Sequence, residues 1–355
     1  MNKKYDLIVY IGRFQPAHNA HIGNIFTAIE QSDYQLILIG SAFKARDVKN
    51  PFTWKERADM IGNAVSAFSK SNDPLKNIIY SPLRDHLYSD GAWLAEVQHK
   101  VKEVVRTYIK RDKPRIGIIG HLKDETTYYL NMFPQWELIN VPDQTGIDST
   151  RIRDLFFNGR DSWVKSYRKE ASHVTNQYVI KFLDDFMDNN PQEYSRICKE
   201  KEHIRLYKNA WSVAPYPPTF VTADAVVIQS GHVLMVKRGA APGEGLWALP
   251  GGFVNQFETV EDACIRELRE ETKLKVPAPV LKGSIAAQHV FDHPLRSSRG
   301  RTITHAFFIV LKDGELPPVK GSDDAKSAKW IPLSDLEEME DKIFEDHWHI
   351  VKYFV

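Results

Sequence analysis

At 355 residues, with 43% hydrophobic and 26% charged side chains, the chain has the composition of a soluble globular protein and is long enough for two separate cores. Its net charge of +1, from 47 basic against 46 acidic residues, excludes a global field that would draw it to nucleic acid or a membrane surface. No apolar run is long enough to span a bilayer, and Cys198 and Cys264 have no metal-type spacing, so a reducing, cytoplasmic setting without structural zinc is expected.

The first apolar run, "YDLIVYI" at residues 5–11, meets Gly12 and Arg13 with no small-residue cleavage site behind it. It reads as a first strand, not a signal peptide. Ile22, Ile25, Phe26 and Ile29 then recur at i, i+3, i+4 and i+7, which predicts an amphipathic helix. Further strands are expected at residues 34–40, 77–83, 115–120 and 137–142, mostly as the continuous apolar runs of parallel strands buried on both faces. Strands alternating with helices predict a Rossmann-like, doubly wound α/β domain with a parallel sheet.

Residues 160–205 change character to helical stretches broken at Asn189 to Pro191. The expected organisation is a first domain over residues 1–185, a helical linker over 186–204 and a second domain over 205–355. In that second domain "VTADAVVIQ", "HVLMVKR", "RTITHAFFIVLK" and "AKWIPL" read as strands around one long charged helix, which predicts an α+β fold. There is no internal repeat and no low-complexity tract.

Two stretches of the first domain carry chemistry. "GRFQPAHNAH" lies where the first strand enters the first helix, the place at which open parallel sheets bind ligands. Gly12 allows close backbone approach, Pro16 sets the turn, and His18 and His21 stand at a helix N-terminus that favours phosphate. "GIDSTRIRDLF" follows the fifth strand and again opens a helix, with Ser149 or Thr150 as the expected cap and Arg151 and Arg153 just inside. A basic first turn opposes the helix dipole and calls for an anion, so the two helix starts are expected to hold a triphosphate between them.

These residues resemble the GRFQPxHxGH and ISSTxxR signatures of the nucleotidyltransferase superfamily, in its nicotinamide-nucleotide adenylyltransferase branch. "NPFTWKERADMI", "RDHLYSDGAWL" and "GHLKDETTYYLNMFPQW" extend the resemblance over the whole first domain. It implies condensation of NMN and ATP to NAD and pyrophosphate with Mg2+ assisting, by positioning and electrostatics. His18, His21, Arg13 and Arg153 would bind the triphosphate and its developing charge. Gly12, Phe14, Gln15, Trp93, Gly120, Ser149 and Thr150 complete the implied ATP and NMN site. Ala20 stands where the signature has glycine, and Asp148 where it has the first serine. Both departures imply altered packing, the second beside a phosphate. Trp54, Trp93 and Trp136 are candidates to stack a base or nicotinamide, with core or rim packing the alternative for each. Asp85 and Asp90 are candidates for ribose or amide contacts, with loop solvation the default.

In the second domain, "LPGGFVNQFETVEDACIRELREETKL" places Val260, Cys264, Glu267 and Glu271 at i, i+4, i+7 and i+11, so two carboxylates share the stripe that would otherwise face the core. With Glu270 they form a plausible oxygen cage for Mg2+ or Mn2+, suited to hydrolysing a diphosphate with metal-activated water. The segment resembles the Nudix box, GX5EX7REUXEEXGU. Gly252, Glu258, Arg266, Glu267, Leu268, Glu270, Glu271 and Leu274 are in register, and Lys273 replaces a glycine at the helix end. The family implies an α/β/α sandwich, with Glu267, Glu270, Glu271 and Gly252 around the metal and Glu258 and Arg266 in support. Arg296, Arg299 and Arg301 sit in an expected loop between two strands; with Gly251 they are candidates to grip substrate, a solvated hairpin tip being the alternative. The stretch "HVFDHPLRSSRGRTITHAFF" resembles the ADP-ribose-hydrolysing branch, which yields AMP and ribose 5-phosphate.

The combined expectation is a bifunctional enzyme of NAD metabolism with Mg2+ or Mn2+ at both sites. Its partners would be NMN, ATP, NAD and ADP-ribose, with no nucleic acid or membrane partner and a homo-oligomer left open. The alternatives are an adenylyltransferase fused to a Nudix-like module that senses ADP-ribose, a Nudix enzyme for another nucleoside diphosphate derivative, a transferase using another phosphate acceptor, and a transcription regulator. The intact glutamates argue against the sensor. The segment after the box reads as the rest of the Nudix fold, which argues against the regulator.

Overall fold

A computed structural model describes residues 3–69, 73, 75–121, 125–142 and 148–355. The chain divides into two compact units, Met1–Cys198 and Lys199–Val355. No helix among the described residues is long and apolar enough to cross a membrane.

The first unit is built on five parallel strands: β1 (Tyr5–Gly12), β2 (Ser32–Ile39), β3 (Ile78–Pro82), β4 (Ile116–Gly120) and β5 (Glu137–Asn140). Their spatial order is β3-β2-β1-β4-β5, so the winding reverses between β1 and β4 and a crevice opens beyond their carboxyl ends. Burial on both sides explains why the strands read as unbroken apolar runs. On β1, Ile8 and Tyr10 join one core, while Leu7, Val9 and Ile11 join the other.

Helices α1 (Asn19–Gln31) and α2 (Trp54–Phe68) cover the first of those faces, and α3 (Asp90–Val104) the second. Ile22 and Ile25 of α1 are buried as its period predicts. At the start of α2, Thr53 Oγ1 accepts from Glu56 N–H while Glu56 accepts from Thr53 N–H, a reciprocal cap for two otherwise orphan donors. α4 (Ser149–Phe156), α5 (Gln177–Asn189) and α6 (Pro191–Ala210) follow. The stretch 186–204, expected as a helical linker, falls in α5 and α6. Its Phe186, Met187, Tyr194 and Ile197 are part of the first core, because the apolar stripe of α5 runs on into the first turns of α6.

The second unit carries a mixed seven-stranded sheet. β6 (Thr219–Gln229), β7 (His232–Arg238), β10 (Ile285–Phe291), β11 (Arg301–Val310) and β12 (Ala325–Pro332) run in the order β10-β11-β6-β7-β12, with β8 (Trp247–Ala248) paired to β7 and β9 (Gly251–Phe253) to β6. Helix α7 (Val260–Thr272) packs Ala263, Cys264 and Leu268 against Ala225, Leu234 and Phe307 of the sheet. On the other face Phe354 of α8 (His347–Phe354) stacks on Phe308. The unit is thus a sheet between helices, as the α/β/α expectation has it. Lys273 ends α7 at φ +51°, a left-handed conformation that favours glycine, and its N–H still closes on Arg269 O.

One buried cation positions the first crevice. Arg57 of α2 is fully buried; its Nη1 donates to Arg13 O at 2.5 Å and Gly40 O at 2.7 Å, its Nη2 to Ser41 O at 3.2 Å and its Nε to Thr53 O at 3.2 Å. Burial depresses its pKa to about 10, still charged at neutral pH. Replacing it removes the side-chain donors to the Arg13, Gly40 and Ser41 carbonyls, while Thr53 O keeps the backbone N–H of Arg57. Arg57→Met is therefore expected to destabilise the first unit by roughly 3 kcal/mol, read as a lower urea midpoint for that unit's transition.

Candidate active sites

The β1–α1 turn folds back on itself. A Cβ on Gly12 would stand 2.6 Å from the Phe14 ring, so only glycine fits there, and Phe14 itself takes φ +51°. The buried Phe14 ring meets His21 edge-on at 4.9 Å, and His21 stacks on His18 with centroids 3.6 Å apart. The backbone N–H of His18 donates to His21 Nδ1 at 3.2 Å. An accepting nitrogen carries no proton, so neutral His21 presents Nε2–H as its donor. Burial lowers the pKa of His18 to about 4, against a smaller opposing pull from Asp148, and lowers that of His21 well below the ordinary value. His18 Nδ1 is buried without a partner. The pair is neutral at physiological pH and offers N–H donors at a helix start.

The second expected cluster lies against the same turn. Ser149 Oγ donates to Pro16 O at 2.9 Å, and Arg153 Nη1 donates to Gln15 O at 2.5 Å, with Nη2 on Thr150 Oγ1 at 3.1 Å. The two motifs are thereby tied together. Three expectations need correcting. The cap of α4 is Asp148, whose carboxylate accepts from Thr150 N–H, and not Ser149 or Thr150; an aspartate caps as well as the serine it replaces. Arg151 pairs with Glu170 at 2.5 Å, so a neighbouring carboxylate, not a ligand, answers its charge. The side chain of Gln15 is buried in a reciprocal pair with the Phe52 backbone, at 2.9 and 3.1 Å, and so is engaged within the fold instead of standing exposed in the crevice.

Arg13 is exposed beside the turn. A Cβ on Gly120 would stand 2.8 Å from Leu130, so that glycine serves packing at the end of β4. Trp93 is half-buried against Tyr129 and Phe133, Trp136 stacks on Phe133 at 4.5 Å, and Trp54 packs on the first core. Asp85 accepts from Ser41 Oγ at 2.6 Å, and Asp90 from Tyr128 Oη at 3.3 Å. Ala20 continues α1 without distortion. Residues 122–124 and 146–147 of the quoted stretches lie outside the described residues.

The second site is a cavity of about 340 Å³ beside β6, β9 and α7, lined among others by Asp224, Gly251, Gly252, Glu267, Glu271 and Arg299. Gly251 is a steric necessity, since a Cβ there would stand 2.4 Å from the Ala223 carbonyl oxygen, and a Cβ at 252 would stand 2.4 Å from Glu267 Oε1 and displace that carboxylate. Arg266 gathers the acids, reaching Glu258 at 2.7 Å, Glu267 at 2.8 Å and Glu270 at 3.0 Å. Glu258 is held down to about 2 by that guanidinium.

Glu271 accepts from Gly251 N–H at 3.0 Å, and burial, with Glu267 adding repulsion, pushes its pKa up to about 8. Glu267 is raised by burial as well. Two crowded carboxylates facing one cavity are what a hard divalent cation relieves, and the donors are all oxygen. The expected three-carboxylate cage is not closed, however. Glu270 is half exposed and turned to Arg266, and no compact group of three acidic, histidine or cysteine side chains stands ready for a metal among the described residues.

The basic loop lies between β10 and β11, as expected, but its arginines differ. Arg299 lines the cavity with its guanidinium over the Phe253 ring at 5.1 Å. Arg296 also lines it, yet is buried and spent on Asp346 through two bonds of 2.9 Å. Arg301 does not line it and bonds to Asp292 O instead. Asp224, Arg238 and His347, all in the lining, escaped sequence reasoning because they come from β6, β7 and α8 and share no local pattern with the box.

Known proteins agree with this division. The cytidylyltransferase-like family matches residues 9–155 and the NUDIX domain family residues 218–354. A nicotinamide/nicotinic acid mononucleotide adenylyltransferase of Acinetobacter baylyi is 35% identical over 187 residues, 52% of this chain and 89% of that one. An ADP-ribose pyrophosphatase of Methanocaldococcus jannaschii is 34% identical over 164 residues, 46% of this chain and 86% of that one. The crystal structure of a bifunctional NMN adenylyltransferase/ADP-ribose pyrophosphatase from Francisella tularensis, complexed with AMP and a manganese ion, superposes with a TM-score of 0.87 at 36% identity, covering 99% of this chain and 98% of that one. Two sites with these geometries, each on its own fold, and similarity along the full length place the chain in the family of bifunctional NMN adenylyltransferase/ADP-ribose pyrophosphatases.

Proposed function

We propose that the first unit transfers the adenylyl group of ATP to NMN, giving NAD and pyrophosphate, and that the second hydrolyses ADP-ribose to AMP and ribose 5-phosphate. The observation that carries the first half is the neutral His18–His21 pair clamped beside Arg153 at one helix start. In that reading the NMN phosphate attacks the α-phosphorus and pyrophosphate leaves. The chain needs no nucleophile for this. Arg13 and Arg153 bind the triphosphate, and the two imidazoles donate N–H bonds to oxygens whose charge grows as the bond to pyrophosphate breaks. Their neutrality makes them donors that require no proton exchange.

For the second half, Glu267 and Glu271 with Glu270 would hold a divalent cation, Mg2+ or Mn2+, which when bound neutralises the diphosphate and makes a coordinated water a stronger nucleophile. Arg266 keeps Glu258, Glu267 and Glu270 in place, and Arg299 over Phe253 provides a cation and a ring face at the cavity wall. A cytoplasmic location fits both sets of substrates.

His18→Ala is expected to lower NAD synthesis from NMN, ATP and Mg2+ by at least about a hundredfold while ADP-ribose hydrolysis stays within twofold; NAD synthesis at the wild-type rate would refute the assignment. Because His18 is neutral above about pH 4, the wild-type rate of NAD synthesis should show no histidine limb near pH 6.5 that the His18→Asn variant abolishes. Glu271→Gln should stop metal-dependent AMP release from ADP-ribose and leave NAD synthesis untouched, and EDTA should stop the same release in the wild type.

A further inference from the structure

His347 opens α8 at the floor of the second cavity and has no place in the Nudix box. The residue is 7% exposed, and Nδ1 accepts the Leu249 N–H at 2.9 Å. That bond fixes the tautomer and leaves the proton on Nε2. Among the described residues Nε2 has no acceptor, yet it is not one of the buried nitrogens sealed from solvent without a partner. His347 is also one of the residues lining the cavity, with Asp224 and Leu249.

The surroundings select what that donor meets. Asp224, Asp346 and Glu345 act on the ring, and the one cation among them, Arg296, is committed to Asp346 by two bonds. Arg238 and Arg299 line the same cavity, so the charge around it is mixed and the ring's own neighbourhood is acidic. Asp224, in the same lining, accepts from Thr304 Oγ1 at 2.5 Å and adds a carboxylate acceptor. A donor and an acceptor in one floor suit a hydroxyl, which both accepts and donates.

We propose that His347 is a substrate-binding residue of the hydrolase site, donating its Nε2–H to a ribose hydroxyl of ADP-ribose. The proposal rests on the ADP-ribose reading of the cavity. Two variants of the full chain separate contact from scaffold, because an asparagine oxygen occupies the place of Nδ1 and a glutamine nitrogen that of Nε2. His347→Asn should keep the thermal midpoint and raise KM for ADP-ribose about three- to tenfold at unchanged kcat, the fold-change of one lost neutral hydrogen bond. His347→Gln should do the reverse, with KM retained and the midpoint lowered. Inhibition by inorganic pyrophosphate, which has no hydroxyl, should be equal in wild type and His347→Asn. An unchanged KM in His347→Asn, or KM rising in both variants in step with a falling midpoint, overturns the contact. Weakened pyrophosphate inhibition in His347→Asn overturns the hydroxyl as its acceptor. A wild type that binds and cleaves no ADP-ribose overturns the underlying reading, and the proposal with it.

Discussion

The carbonyl oxygens of Arg13, Gln15, Pro16 and Ala17 are taken, in turn, by Arg57, Arg153, Ser149 and Thr175, side chains 44, 138, 133 and 158 residues away. A turn of this kind has few hydrogen bonds of its own, and backbone groups withdrawn from water must find partners somewhere. Here the partners come from α2, from the α4 start and from the segment before α5, so the turn takes its shape only when the rest of the first unit has folded around it. His18 and His21 inherit that rigidity. Their stacking distance and their tautomers follow from where the carbonyls are held, which is how a polar loop at the end of a strand becomes a preorganised set of donors.

The second unit solves the opposite electrostatic problem. The first site presents neutral donors and cations to an anionic substrate, whereas the second gathers carboxylates and must keep them from repelling one another apart. Arg266 is the internal counter-charge, and Gly251 and Gly252 give the acids room that any side chain would fill. Burial first, and the neighbouring carboxylates after it, raise the pKa values of Glu267 and Glu271. The first site thus gathers neutral N–H donors beside arginines, and the second gathers carboxylates around one arginine.

Where the chemistry is contiguous, the sequence was legible. The five strands of the first sheet stand within two residues of where their apolar runs put them, since burial on both faces leaves an unbroken signal. The box glutamates and the two histidines stood out as candidates because spacing along one helix, or one turn, sets which side chains share a face. Illegible were the partners supplied from afar. Nothing near Arg296 announces Asp346 fifty residues on, nothing near Gln15 announces Phe52, and nothing near Leu249 announces His347. For the same reason Arg301 looked equal to Arg299, although the pleat and the Asp292 carbonyl turn it away. Asp148 looked like a liability beside phosphate and proved to be a helix cap.

Helix α6 crosses from the first unit into the second. Its amino-terminal half sends Tyr194 and Ile197 into the first. Its carboxyl-terminal half buries Ile204, presents Glu200 to the Gly243 N–H at 3.1 Å and lays Tyr207 against Phe220 in the second. A severed helix loses the pairing of up to four donors and four acceptors at the cut. Dissecting the chain anywhere between residues 191 and 210 therefore cuts a helix whose side chains make contacts within one unit or the other. Only fragments that each keep the whole helix preserve both, so the two halves of this protein can be separated only by duplicating the piece they share.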